Sequence, residues 1–256
     1  MDLHLLLEAA KEIAQRGGDS TKRYFKNGVI VNLKDDESPV TIADKEAEKL
    51  MRREIETYFP THGIIGEEYG AVRPESNIQW VLDPIDGTKS FIHGIPLYTT
   101  LIGILVDGVP QVGVIYQPIL NELCYAATGL GCFFNGNPAQ VRKIKKLSAA
   151  SMIITEIEHF EENGYLAAHD KMMNATRYHR TWGDAYGHMM VATGRADIMF
   201  DPTLNIWDAA ALHPIIREAG GWFGSAEGDE ALVDQASGIS CHPDFKDEIL
   251  GFFRKD

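Results

Sequence analysis

Apolar positions recur at helical spacing in two stretches near the start of the chain. Leu3, Leu6, Leu7, Ala10, Ile13 and Ala14 share one face of a helix expected from Asp2 to about Lys26, which Gly17-Gly18 should break or bend. Thr41 to Phe59 repeats the pattern through Ala47, Leu50, Met51, Ile55 and Phe59, with Thr41 as N-cap, Asp44 in the first turn and Pro60 as the stop. Val29 to Leu33 alternates like a strand, and Lys34 to Pro39 is a polar loop. From Gly63 the period shortens. Gly63 to Gly66 and Trp80 to Leu82 are apolar runs suited to buried strands. Tyr98–Val106 and Val109–Gln117 are rich in β-branched residues, and Asp107-Gly108 between them predicts a tight hairpin. Leu123–Ala127 and Gly131–Phe134 continue the strands, with Asn135-Gly136 as another turn.

Beyond that point the pattern alternates. Strands are expected at Ser151–Ile157, Arg177–Arg180, Ala196–Phe200 and Gly238–Cys241. Helices are expected at Gly164–Asn174, from Trp182–Gly187 to about Thr193, from Asp208 through Glu218, and at Pro243–Arg254. Such alternation predicts a layered α/β half behind an antiparallel-rich first half. The basic connector Arg142–Lys146 marks the expected boundary, giving an N-terminal α+β domain, 1–142, and a C-terminal α/β domain, 143–256.

Acids interrupt this pattern where the strands stop. Trp80-Val81-Leu82 runs into Asp83-Pro84-Ile85-Asp86-Gly87-Thr88, and Gly63–Gly66 runs into Glu67-Glu68. Pro84 fixes its own φ and biases Asp83 toward extended backbone, while Gly87 tolerates conformations closed to other residues. The expected result is a rigid turn that aims Asp83, Asp86 and the Ile85 carbonyl at one spot, with the Thr88 hydroxyl nearby. Asp208 stands at the start of a helix, where free backbone N–H groups favour an anion. If these ends converge, Glu67, Asp83, Asp86 and Asp208 form a cluster that divalent cations must neutralise. Hard oxygen ligands of this kind suit Mg²⁺, and two or three such ions activate water and stabilise a leaving oxygen in phosphoryl transfer.

Composition narrows the field. A formal charge of −13 over 256 residues disfavours a nucleic-acid partner. The three cysteines have no CxxC spacing, which fits reduced thiols in a cytoplasmic setting, and no apolar run is long enough to span a membrane. The chain has no GxxxxGK[ST] loop and no Ser/His/Asp or Cys/His arrangement that stands out.

Glu67-Glu68, the run from Asp83 to Thr88, Trp207-Asp208-Ala209-Ala210-Ala211 and Glu218-Ala219-Gly220-Gly221 together resemble the inositol monophosphatase family of metal-dependent, lithium-sensitive phosphatases. The resemblance covers nearly the whole chain in register, including Thr41 and Asp44. It implies the five-layer αβαβα sandwich of the inositol monophosphatase and fructose-1,6-bisphosphatase type, and hydrolysis of a phosphate monoester. It further implies Glu67, Asp83, the Ile85 carbonyl, Asp86 and Asp208 as Mg²⁺ ligands, with Mn²⁺ able to substitute. Thr88 and Asp44 match the pair that orients the attacking water, Glu67 assisting through its metal. Gly87 and Thr88 match the phosphate contacts, with Glu67, Asp86 and Asp208 also facing the substrate. Lys34 lies near the position of a loop lysine that approaches the site. The family often forms homodimers. One departure is that the usual WDxxAG ends here in Ala211-Leu212.

The resemblance implies a small phosphorylated metabolite as substrate. Lys89-Ser90-Phe91-Ile92, Thr181–Gly187 and Ala192–Asp197 resemble the histidinol-phosphatase branch. Histidinol phosphate carries an ammonium and an imidazole, so its receptor needs carboxylates apart from the metals. Asp184, with Ala185 beside it, and Asp201, seven residues before Asp208, are available. A charge-assisted hydrogen bond from such an acid contributes roughly 1.5–3 kcal/mol. A broad inositol or sugar phosphatase with the same metal site is the alternative, with nucleotide 3′-phosphatase or fructose-1,6-bisphosphatase a weaker variant for want of a basic cluster. A non-catalytic cation-binding protein is disfavoured by the intact set of acids.

Overall fold

The computed structural model describes residues 2–28, 31–33, 39–232 and 234–254, so Lys34 and the start of the expected Val29 strand lie outside the described residues. Helix α1 (Leu3–Thr21) is capped by the Asp2 side chain and leads to a ribbon of β1 (Val31–Leu33) and β2 (Pro39–Thr41). Helix α2 (Ile42–Tyr58) follows, opened by Thr41. Strands β3 (Gly63–Gly66), β4 (Gly70–Val72) and β5 (Ile78–Asp86) precede the short helix α3 (Thr88–Ile92). The sheet is completed by β6 (Thr99–Val106), β7 (Val109–Gln117), β8 (Glu122–Ala127), β9 (Gly131–Phe134) and β10 (Asn137–Pro138). Its order is β10-β9-β8-β7-β6-β5-β3-β4.

The second half contributes β11 (Ser151–Ile154), α4 (Ile157–Glu162), α5 (Leu166–Ala175), β12 (Tyr178–Arg180) and α6 (Asp184–Ala192). Strand β13 (Ile198–Leu204), helix α7 (Ile206–Glu218), β14 (Trp222–Gly224), β15 (Ala236–Cys241) and α8 (Lys246–Gly251) complete it. The second sheet runs β12-β11-β13-β15-β14.

Helices α1 and α2 pack on the outer face of the first sheet through Leu6, Ala10, Ile13, Met51 and Ile55. Helices α6 and α7 lie between the sheets, where Met189, Leu212 and Ile215 share one core with Ile115 of β7 and Met199 of β13. Phe160, Met172 and Ile249 of α4, α5 and α8 cover the far face of the second sheet. The five layers are α, β, α, β, α. Helix α7 is apolar on all sides because both of its neighbours are sheets. The connector is anchored at its N-terminal end, Arg142 to Asp197 at 2.5 Å and Lys143 to Asp244 at 2.9 Å, and the three cysteines are free and buried.

Several local expectations change. Gly17-Gly18 neither breaks nor bends α1. A Cβ on Gly17 would lie 2.7 Å from Met51, and one on Gly18 would lie 2.7 Å from Tyr116, so these glycines let the helix approach α2 and β7 closely. The Asp83-Pro84 and Asp201-Pro202 pairs belong to strands rather than turns. Each falls beside a register shift, which accommodates a proline that has no N–H to give the ladder. The strand at Ser151 ends at Ile154, and the residues from Ile157 form α4.

Candidate active site

The carboxyl end of β5 is the centre of the site. Asp83 and Asp86 are buried there, and the bulge between them turns both side chains toward the N-terminus of α7. Asp208, third residue of α7, accepts from the Asn205 N–H at 2.7 Å in a capping box, which sets its rotamer. One carboxylate oxygen each from Asp83, Asp86 and Asp208 lie within 4.8 Å of one another. Glu67 enters from the end of β3, close enough to hydrogen-bond to Asp83, and its N–H donates to the Leu82 carbonyl at 3.2 Å.

Crowding leaves a clear electrostatic mark. Burial, followed by the charges of Glu67, Asp86 and Asp208, raises Asp83 well above the ordinary carboxylate range. Burial and the charges of Asp184 and Asp208 do the same to Asp86, although Ala185 N–H and Thr99 Oγ1 donate to it at 2.9 and 3.0 Å. Burial pushes Asp208 up to about 7. Among the described residues, Asp86 accepts from the Thr99 hydroxyl and the Ala185 N–H, and Asp208 accepts from the Asn205 N–H, all neutral donors. The all-oxygen donor set and the crowding of buried carboxylates both fit a divalent cation such as Mg²⁺. The Ile85 carbonyl accepts from Thr88 Oγ1 at 3.1 Å and keeps a second lone pair.

The supporting parts are local. Gly87 adopts φ 80°, and a Cβ there would lie 2.8 Å from Asp184 Oδ2, so only glycine allows α3 to start this close to α6. Asp44 caps α2, its Oδ2 accepting from Thr41 N–H at 2.8 Å and Thr41 Oγ1 at 2.6 Å, and burial pushes it up to about 7. It is not hydrogen-bonded to Thr88 and does not line the cavity described below. Glu48, one turn further along α2 and fully buried, was missed in the sequence. It holds the Glu67 loop by accepting from Glu68 N–H at 2.7 Å and Tyr69 N–H at 3.2 Å, while Arg52 neutralises it at 2.7 Å. Its spacing of four from Asp44 was the available signal.

A cavity of about 790 Å³ opens from the acids toward the second sheet. Asp184, Asp201, Glu156 and His159 line its far side, and Glu67, Asp83, Asp86, Thr88 and Asp208 its near side. Asp184 holds φ 56°, a left-handed conformation, at the first turn of α6. Burial and then the charges of Asp201 and Asp208 push it up to about 7. Lys89 reaches across the mouth to Glu156 at 2.5 Å, a pair invisible to local patterns because 67 residues separate the partners.

A family model described as the inositol monophosphatase family matches residues 2–254. The chain belongs to the inositol monophosphatase family. It is a phosphomonoesterase with the family's fold. It is 40% identical to a histidinol-phosphatase from Chlorobaculum parvum, over 92% of each chain. It is 34% identical to one from Mycobacterium tuberculosis, covering 95% of this chain and 96% of that one. Among solved structures, an inositol monophosphatase from Zymomonas mobilis superposes with a TM-score of 0.88 at 31% identity, over 99% of each chain. The extragenic suppressor protein SuhB from Bartonella henselae superposes at 0.92 with 28% identity, over 98% of this chain and 99% of that one.

Proposed function

We propose that the protein is a Mg²⁺-dependent histidinol-phosphatase, releasing L-histidinol and phosphate. The observation that carries the substrate is the second pair of acids, Asp184 and Asp201, which line the cavity opposite the phosphate end. Polyol hydroxyls can donate to these carboxylates, but an ammonium and an imidazolium also pair with their charge, which favours a cationic substrate. The similarity to histidinol-phosphatases over most of the chain supports the same choice.

Glu67, Asp83, the Ile85 carbonyl, Asp86 and Asp208 would hold two or three Mg²⁺ ions, which supply charge neutralisation and an acidified water when bound. Thr88 and Asp44 are assigned to orienting that water, with Glu67 beside them. Both Thr41 contacts engage Asp44 Oδ2, which leaves Oδ1 as the oxygen for this role. Gly87 and Thr88 are assigned to the phosphate. The Ala185 N–H, already donated to Asp86, would help fix the polar edge on which Asp184 stands. Among the described residues no helix is long and apolar enough to cross a membrane. A cytoplasmic homodimer is part of the same reading.

Phosphate release measured across L-histidinol phosphate, inositol phosphates, sugar phosphates and 3′-phosphoadenosine 5′-phosphate tests this reading. The expected result is the highest kcat/KM for L-histidinol phosphate, abolished by EDTA. An inositol or sugar phosphate with higher kcat/KM would overturn it.

A further inference from the structure

Behind Asp201, on the side away from the metals, lies a chain of buried polar side chains that the chemistry above does not use. His188 Nε2 is 3.0 Å from Asp201 Oδ2, and His188 Nδ1 is 2.5 Å from Ser240 Oγ. His188 and Ser240 are fully buried and Asp201 nearly so. The fold puts them together by register. Asp201 and Met199 point to the same face of β13, and Met199 pairs with Ser240 on β15. Helix α6 packs on that face, where His188 sits one turn after Asp184, its ring edge-on to Phe223 at 5.6 Å.

The proton positions follow from chemistry. An ionised carboxylate only accepts, so Nε2 carries a hydrogen toward Asp201; in a neutral imidazole Nδ1 then accepts from the Ser240 hydroxyl. Ser240 completes the hydrogen bonding of the tautomer that donates to Asp201. Among the described residues this is the one hydrogen bond made to the Asp201 carboxylate, and it engages Oδ2 alone. Asp201 is the last residue of β13 before the irregularity, paired with Gly238 and followed by Pro202, which has no N–H to give the ladder. A buried three-group chain is retained in place of apolar packing, which would fill the same volume without directional demands.

We infer that His188 is a positioning residue: with Ser240 behind it, it fixes the Asp201 carboxylate at the cavity wall so that Oδ1 is presented to the cationic part of the substrate. The inference rests on the reading of Asp201 as a substrate-side residue. It predicts that His188 governs selectivity and KM, with kcat set by the metal-side acids.

The test compares kcat/KM for L-histidinol phosphate with that for myo-inositol 1-phosphate in Mg²⁺. In His188→Phe, which keeps a ring against Phe223 but removes both hydrogen bonds, the ratio falls about tenfold, mainly through KM for L-histidinol phosphate. His188→Gln, whose amide can donate near the position of Nε2, recovers most of it. Ser240→Ala shifts the ratio about threefold in the same direction and serves if His188→Phe does not fold. In an Asp201→Asn background, His188→Phe lowers the ratio no further. Equal losses on both esters, a folded His188→Gln that behaves like His188→Phe, or additive losses with Asp201→Asn would overturn the inference. A wild-type ratio in Asp201→Asn would refute the substrate-side reading of Asp201, and this role with it. A low ratio in Asp201→Asn beside wild-type ratios in His188→Phe and Ser240→Ala would overturn the role of His188 alone.

Discussion

Two strands, one in each sheet, carry an Asp-Pro pair beside a register shift, and the two acids are treated in opposite ways. Asp83 at the end of β5 faces Glu67, Asp86 and Asp208, and burial, followed by these like charges, raises it well above the ordinary carboxylate range. Asp201 in β13 has His188 at 3.0 Å, a donor supplied by the protein itself. The same backbone device therefore serves two ends. On β5 the chain crowds buried carboxylates together, an arrangement that a divalent cation relieves. On β13 the chain braces a single acid from behind. Between the two lies the cavity, and the proposed function puts phosphate and metals at the first strand and the leaving alcohol at the second.

The largest expected effect separates the two strands by activity. Asp83→Asn or Asp86→Asn should lower kcat by about 10³-fold or more, because the water and the leaving oxygen both depend on the metals. Steady-state phosphate release at saturating Mg²⁺ measures this, and near-normal turnover in either variant would remove β5 from the chemistry. Next comes selectivity. Asp184→Asn and Asp201→Asn should each lower the preference for L-histidinol phosphate over myo-inositol 1-phosphate by about 10- to 100-fold, the range of one charge-assisted hydrogen bond. Matched losses on both esters would show that the β13 wall is structural.

A pH series sharpens the contrast further. Asp208 is pushed up to about 7 in the metal-free fold, above the unfolded carboxylate value. Between roughly pH 4 and pH 7 the native state then holds a proton that the unfolded chain has released, so this group makes stability fall as pH rises through that window. Cation binding must displace that proton, so apparent Mg²⁺ affinity should rise by up to about tenfold per pH unit below about pH 7 and level off above it. Calorimetric titration across the range reads this directly, and a pH-independent affinity would contradict it. The smallest effect concerns the Glu67 loop. Glu48→Gln, which weakens the two backbone contacts to Glu68 and Tyr69, should reduce Mg²⁺ affinity by about tenfold while leaving selectivity between the esters unaltered.

The contrast also explains what could be read from the sequence. The β5 acids were legible because Asp83, Asp86 and Thr88 are neighbours in one run, and Glu67 and Asp208 follow the same rule of an acid at an element's end. Layer architecture was legible from the change of apolar period, since surface helices and buried strands differ in spacing. Asp83-Pro84 was misread as a turn because proline usually breaks a ladder, and a bulge cannot be seen in composition. Strand β14 was missed since Trp222–Gly224 is only three residues long, and α4 because Ile157 prolongs an apolar run. His188, Ser240 and Asp201 come from three elements brought together by strand register, so no local pattern joins them. Lys34, expected near the site, lies outside the described residues.

The division of labour is tested most directly by Mg²⁺ binding to Asp83→Asn and Asp201→Asn beside the wild type, followed by calorimetry at one pH. The account predicts that Asp83→Asn loses Mg²⁺ binding by about 100-fold or more while Asp201→Asn binds within about threefold of wild type. A loss of Mg²⁺ affinity in Asp201→Asn equal to that in Asp83→Asn would contradict it, because both strands would then serve the metals.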